Sequence, residues 1–105
     1  MGLYLIDQYS LLHFSVGVVF YFWGITFWRW TIIHLIFELF ENTPSGIYLI
    51  NNYFKFWPGG KTHADSLLNS TGDIVFGCLG WFIAKWFDEL GKKYKLTINQ
   101  NIELF

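Results

Sequence analysis

HLIFELFEN, residues 34–42, and HADSLLNSTGD, residues 63–73, bound the stretch whose reading decides the fold. Each segment lies in or beside an apolar run and carries acids that hydrocarbon rejects. His34, Glu38 and Glu41 are spaced four and three apart, so they share one face of a helix. Asp65, Asn69 and Asp73 are spaced four and four and do the same. Two apolar helices are therefore expected, each with a polar seam. An ionisable residue inside a membrane span is a functional-site hypothesis by default.

Composition supports a membrane setting. Of the 105 residues, 53% are hydrophobic and 23% aromatic, while only 14% are charged. Soluble domains carry about 25% charged residues, and a chain this short has little polar surface with which to cover so much apolar area. The six Trp and six Tyr suit the membrane–water interface. A net charge of -1 argues against nucleic acid as a partner. The single cysteine, Cys78, cannot form an internal disulfide. The start, MGLYLIDQYS, lacks the basic leader and cleavage site of a signal peptide.

Outward from the central stretch, residues 8–28 contain no Asp, Glu, Lys or Arg, which predicts a first span over about 8–25. Gly17 and Gly24 fall on one face and offer a close approach. Trp28-Arg29-Trp30 reads as two interfacial indoles around a cation, followed by a second span over about 28–42. Thr43 and Pro44 are a helix start, and residues 44–57 are apolar enough to lie along the membrane surface as an interfacial helix. Pro58-Gly59-Gly60 turns the chain. A third span is expected over about 64–90, capped by Thr62 with Asp65 three residues on; Gly80 and Ala84, with Gly77 nearby, form its packing face. Residues 91–105 make a polar tail. The expectation is an all-α membrane protein with three transmembrane helices and one interfacial helix, in a single domain covering 1–105. Lys85, Lys92, Lys93 and Lys95 place the C-terminus on the cytoplasm-like or matrix-like side.

That topology brings His13, Glu38, Glu41, Asn42, Asp65, Ser66, Asn69 and Asp73 to one level, with His34 about a turn deeper. Glu38 and Glu41 are candidates for a paired acid, in which one carboxyl keeps its proton as a general acid. With Asp73 they are the candidate catalytic residues, should the site be catalytic. Asp65, Asn69 and Asp73 facing them make an oxygen-rich set suited to a divalent cation such as magnesium or calcium. His13, His34 and His63 could join carboxylates around zinc or iron, although their spacing matches no local metal signature. Ser66 and Ser70 lack a nucleophile elbow. Two functions stand side by side. In one, an acidic intramembrane site binds a divalent cation, or a lipid head group through it. In the other, the seams are interhelical glue in an accessory subunit of a larger membrane assembly, such as a respiratory-type complex or a virion membrane, or in a self-associating protein.

Phe37-Glu38 with Glu41-Asn42-Thr43-Pro44, and Asp65-Ser66-Leu67-Leu68-Asn69-Ser70-Thr71-Gly72-Asp73, resemble the two strongest motifs of an uncharacterised family of small multi-pass membrane proteins of proteobacteria. The likeness extends from about residue 12 to about residue 86 and takes in His13, Gly17, Phe20 and Tyr21. It departs at Val16, Phe37 and Ala64, where a second His, a Trp and a Gly are expected. It implies that the two seams form one site, and supplies no activity. A weaker likeness is to VanZ-like membrane proteins, in the style of short spans that carry His and Glu.

Overall fold

The computed structural model describes residues 2–56 and 60–94. The turn expected at residues 58–60 lies partly, and the tail beyond Tyr94 wholly, outside the described residues. The described chain is all-helical, with α1 over Ser10–Phe22, α2 over Phe27–Glu41, α3 over Pro44–Tyr53 and α4 over Leu67–Tyr94.

The boundaries follow from local chemistry. Asp7 sets the start of α1: its Oδ1 accepts the Tyr9 N–H at 2.9 Å, and its own N–H donates to Ser10 Oγ at 3.0 Å. Burial pushes the Asp7 carboxyl up, but bonds from the Tyr9 and Gly2 N–H groups and the Asn69 amide outweigh it and hold it below the usual range. α1 stops at Phe22, and Gly24 at φ 83° makes the reversal in a left-handed conformation that disfavours any Cβ. The Thr26 hydroxyl then accepts the Arg29 N–H and caps α2. Thr43 caps α3 by accepting the Gly46 N–H at 3.0 Å, with Pro44 in the first turn. α4 begins later than residue 64. Its first-turn bond is from the Asn69 N–H to Ser66 Oγ at 3.1 Å, whereas the Thr62 hydroxyl pairs with His63 Nδ1.

α4, about 42 Å long at 1.5 Å per residue, is the central element. α1 packs along it most extensively, α2 also rests on it, and α1 and α2 touch each other little. Small residues set the spacing. A Cβ on Gly17 would run into the Gly77 carbonyl and the Trp81 amide, and one on Gly80 would run into the Phe14 backbone. Gly24 packs against nothing and belongs to the turn. Two indoles tie the elements together: Trp30 Nε1 donates to the Gly77 carbonyl at 3.0 Å and Trp81 Nε1 to the Ile25 carbonyl at 2.9 Å. Trp28 is 71% exposed and Trp30 only 3%, so of these two Trp28 has the exposure of an interfacial indole and Trp30 is a core residue. At the far end Tyr21 donates to Asp88 at 2.6 Å. α1 therefore runs parallel to α4, and α2 antiparallel to both.

α4 is the one helix among the described residues long and apolar enough to cross a membrane. α1 and α2, of 13 and 15 residues, reach only about 20–22 Å, short of the roughly 30 Å of hydrocarbon in a typical bilayer. The apolar run of residues 8–28 is long enough for a span, but the turn at Gly24 divides it.

The distribution of polarity is inverted relative to a water-soluble domain. Among the described residues the buried ones include Ser10, His34, Glu38, Glu41, Lys61, Asn69 and Asp73, against only Trp30, Ile50, Trp81 and Ala84 among hydrophobic ones. Leu11, Phe22, Ile32, Ile36, Leu39 and Phe87 are each more than half exposed.

Candidate functional site

The buried polar groups converge near the N-terminal end of α4. Glu38 comes from the face of α2 that also carries His34 and Glu41, and all three are buried. α4 presents Asp73, 3% exposed, and the segment before it presents Asp65. The carboxyls of Glu38, Glu41, Asp65 and Asp73 each offer an oxygen within 4.8 Å of the others. His13, from α1, closes the site: its Nε2 lies 3.2 Å from Asp73 Oδ2, and its Nδ1 lies 3.0 Å from His34 Nε2. His34 Nε2 is in turn 3.8 Å from Glu38 Oε2.

Trp30, one turn before His34, orients this face. Its indole stacks on the His34 imidazole at 4.6 Å between centroids, and the His13 ring meets the same imidazole edge to edge, with centroids 5.2 Å apart. Gly77 leaves the room: a Cβ there would sit 2.5 Å from the His34 ring. The three rings are thus held by packing as well as by polar contacts.

The polar accounting does not close within the protein. Both oxygens of Glu38, Oδ1 of Asp73 and Nδ1 of His34 are buried without a hydrogen-bond donor or acceptor partner among the described residues. Ionised carboxylates only accept hydrogen bonds, so neighbouring carboxylates satisfy one another only through a shared proton or a cation. The histidines behave similarly. If His13 gives its Nε2 proton to Asp73, its Nδ1 must accept from His34 Nε2–H, which leaves His34 Nδ1 a bare buried lone pair. Unpaired buried polar groups cost about 1–3 kcal/mol each, more when charged, so the interior calls for a positive charge.

Lys61 supplies one. Its Nζ lies 2.8 Å from Asp65 Oδ2, with side chains 9% and 13% exposed. Asn51 holds it in place, accepting the Lys61 N–H and donating to the Lys61 carbonyl. One ammonium faces four carboxyl groups, so the rest must share protons or take up a cation.

Asn42, Ser66 and Asn69 serve as ties. Asn42 donates to the Glu38 carbonyl at 2.8 Å and accepts the Asp65 N–H at 2.7 Å. Ser66 donates to the Leu3 carbonyl, and Asn69 to the Tyr4 carbonyl and Asp7 Oδ2. They pin residues 2–7 and the end of α2 to the start of α4, and so set the positions of the carboxylates. His63 is exposed; it lines the adjoining cavity but belongs to neither donor cluster. Ser70 touches Asn42 at 3.5 Å.

Three site residues escape sequence reasoning. Lys61 precedes α4 outside any helical period. Asp7 sits in an irregular segment, with only its turn-forming type as a signal. Trp30 carries the signature of an interface residue. Beside the carboxylates opens a cavity of about 440 Å³. His13, Glu41, Lys61 and Asp73 line one part of it, and Leu12, Val16, Phe20 and Ile33 another.

Comparison with protein-family models, curated proteins and solved structures gave no match.

Proposed function

We propose that this is a small integral membrane protein whose interior carboxylates bind a divalent cation, through which the head group of a membrane lipid is held. The observation that carries the reading is the pair of unpartnered Glu38 oxygens, in a side chain only 2% exposed, beside Glu41, Asp65 and Asp73. An all-oxygen set of several carboxylates suits a hard cation. The adjoining cavity, apolar on one side and charged on the other, has the character of an amphiphile's binding site.

In this reading α1, α2 and α4 are three spans and α3 lies along the surface. The exposed apolar shell supports it, since lipid rather than water is the solvent such a surface favours. The short α1 and α2 then require a locally thinned bilayer. Lys85, Lys92 and Lys93, at the C-terminal end of α4, put that end on the cytoplasm-like or matrix-like side. The family resemblance of the two motifs is part of this proposal and adds no activity to it.

The test is calorimetric titration of Mg²⁺ and Mn²⁺ into detergent-purified protein, with Glu38→Gln and Asp73→Asn alongside. Loss of binding in both variants, with helix content retained, is the expected result. Retained binding in both overturns the reading.

A second reading is favoured by the ties of Asn42, Ser66 and Asn69. Here the polar seams are interhelical glue, and the exposed apolar surface contacts other membrane subunits or another copy. Stoichiometric co-purification with a partner, and instability without it, would support it.

A further inference from the structure

We propose that the interior site is a two-metal centre bridged by Glu38, an inference that rests on the cation-binding reading above. The donors fall into two groups, His13–His34–Glu38 and Glu38–Glu41–Asp65–Asp73, each converging within 4.8 Å. Glu38 is the one member common to both. It has two oxygens, which when ionised meet only other carboxyl oxygens and no donor among the described residues, and a bridging carboxylate uses one for each ion.

The nitrogen-bearing half brings together two donor atoms. His13 Nδ1 and His34 Nε2 are 3.0 Å apart. That is hydrogen-bond distance, and ring centroids 5.2 Å apart set the two nitrogens nearly head-on, so a single proton joins them and a metal ion would take its place. On the far side of its ring, His13 Nε2 faces Asp73 Oδ2 at 3.2 Å. That is the carboxylate–imidazole pairing that fixes the tautomer of a metal-ligating histidine and turns the other nitrogen's lone pair inward. The stacking of Trp30 on His34 pre-sets the ring.

Charge leaves room for a second ion. With all four ionised, Glu38, Glu41, Asp65 and Asp73 bring four negative charges against the ammonium of Lys61. One divalent cation cancels two of the remaining three. The two halves differ in preference: the imidazole-bearing half suits zinc, iron or manganese, and the all-carboxylate half magnesium, manganese or calcium. Manganese satisfies both, and ions sharing a carboxylate in such centres sit roughly 3.5–4 Å apart.

The full-length chain in detergent is loaded with Mn²⁺, freed of excess, and examined by metal content and electron paramagnetic resonance. The wild type is expected to hold about two ions per chain, with the exchange-coupled signal of close-lying ions. His34→Gln is expected to hold half as much and to show the signal of an isolated ion. Glu38→Gln is expected to lose the coupling. One ion in the wild type that persists in His34→Gln overturns the two-metal centre and leaves the single-cation reading standing. Two ions without coupling overturn the bridge. No bound ion overturns both readings. The coupling is read on the wild type, so a folding defect in either variant, followed by circular dichroism, does not hide the answer.

Discussion

His13 Nδ1 on α1 lies 3.0 Å from His34 Nε2 on α2, although these helices otherwise make slight contact and both rest on α4. The pair therefore joins two elements at the place where the carboxylates of α2 and α4 meet. Its outer nitrogens differ: one faces Asp73 and the other is buried without a partner. A group that links helices while bonding to a carboxylate cluster ties the stability of the bundle to the state of its interior.

Trp30→Phe separates this coupling from bulk hydrophobicity. The substitution keeps an aromatic ring against His34 but leaves the buried Gly77 carbonyl without the indole N–H it accepts. A loss of about 1–3 kcal/mol in unfolding stability is expected, together with weaker cation binding. Trp28→Phe, at a position 71% exposed, should change neither. Unfolding in mixed micelles followed by circular dichroism, with parallel cation titrations, distinguishes the two.

Gly17→Ala tests the close approach of α1 and α4. The added methyl meets the backbone at Gly77 and Trp81, which cannot swing aside as a side chain does. Overpacking of this kind costs about 1–3 kcal/mol or more, and the displaced α1 carries His13 away from Asp73. Thermal unfolding should show the loss. An unchanged midpoint would mean that the helices stand further apart than described.

Lys61→Met removes the one ammonium paired with the carboxylates. In the presence of chelator the variant should be less stable by about 3–5 kcal/mol, the cost of stranding a buried partner. Divalent-cation affinity should move the other way and tighten by about tenfold or more, because Asp65 is released as a ligand and a nearby positive charge is gone. Weaker binding in Lys61→Met would assign the lysine a direct role in ligand capture.

The pH dependence has a definite sign. Carboxylates and imidazoles ligate only when deprotonated, so cation binding releases protons and weakens as pH falls. A saturating cation at about 100 times its dissociation constant stabilises by about 2.7 kcal/mol. That increment, read as a shift in unfolding temperature with and without chelator, should shrink steadily from about pH 8 to about pH 5. A shift independent of pH would place the cation away from these groups.

Much of this arrangement is legible in the residues. The three-four spacing of His34, Glu38 and Glu41 and the four-residue spacing of Asn69 and Asp73 mark helix faces, and all five residues are buried. Thr43 and Pro44 mark the start of α3 because their chemistry is local. The limits have physical causes too. A hydropathy run has no signal for a reversal inside it, so the turn at Gly24 is hidden among apolar neighbours. An indole at a run's edge looks the same whether it faces lipid or donates inward, as Trp30 does. Lys61 and Asp7 reach the site from irregular segments, where no periodicity points to a common face. The ties from Ser66 and Asn69 to the carbonyls of Leu3 and Tyr4 involve acceptors that every residue possesses.

The most direct test of the central claim is the location of the ion itself. Crystals grown in lipid with Mn²⁺ and measured for anomalous scattering should show a peak enclosed by Glu38, Glu41, Asp65 and Asp73. A peak only at exposed acids such as Glu89, or none at full manganese loading, would contradict the account and make the buried carboxylates structural.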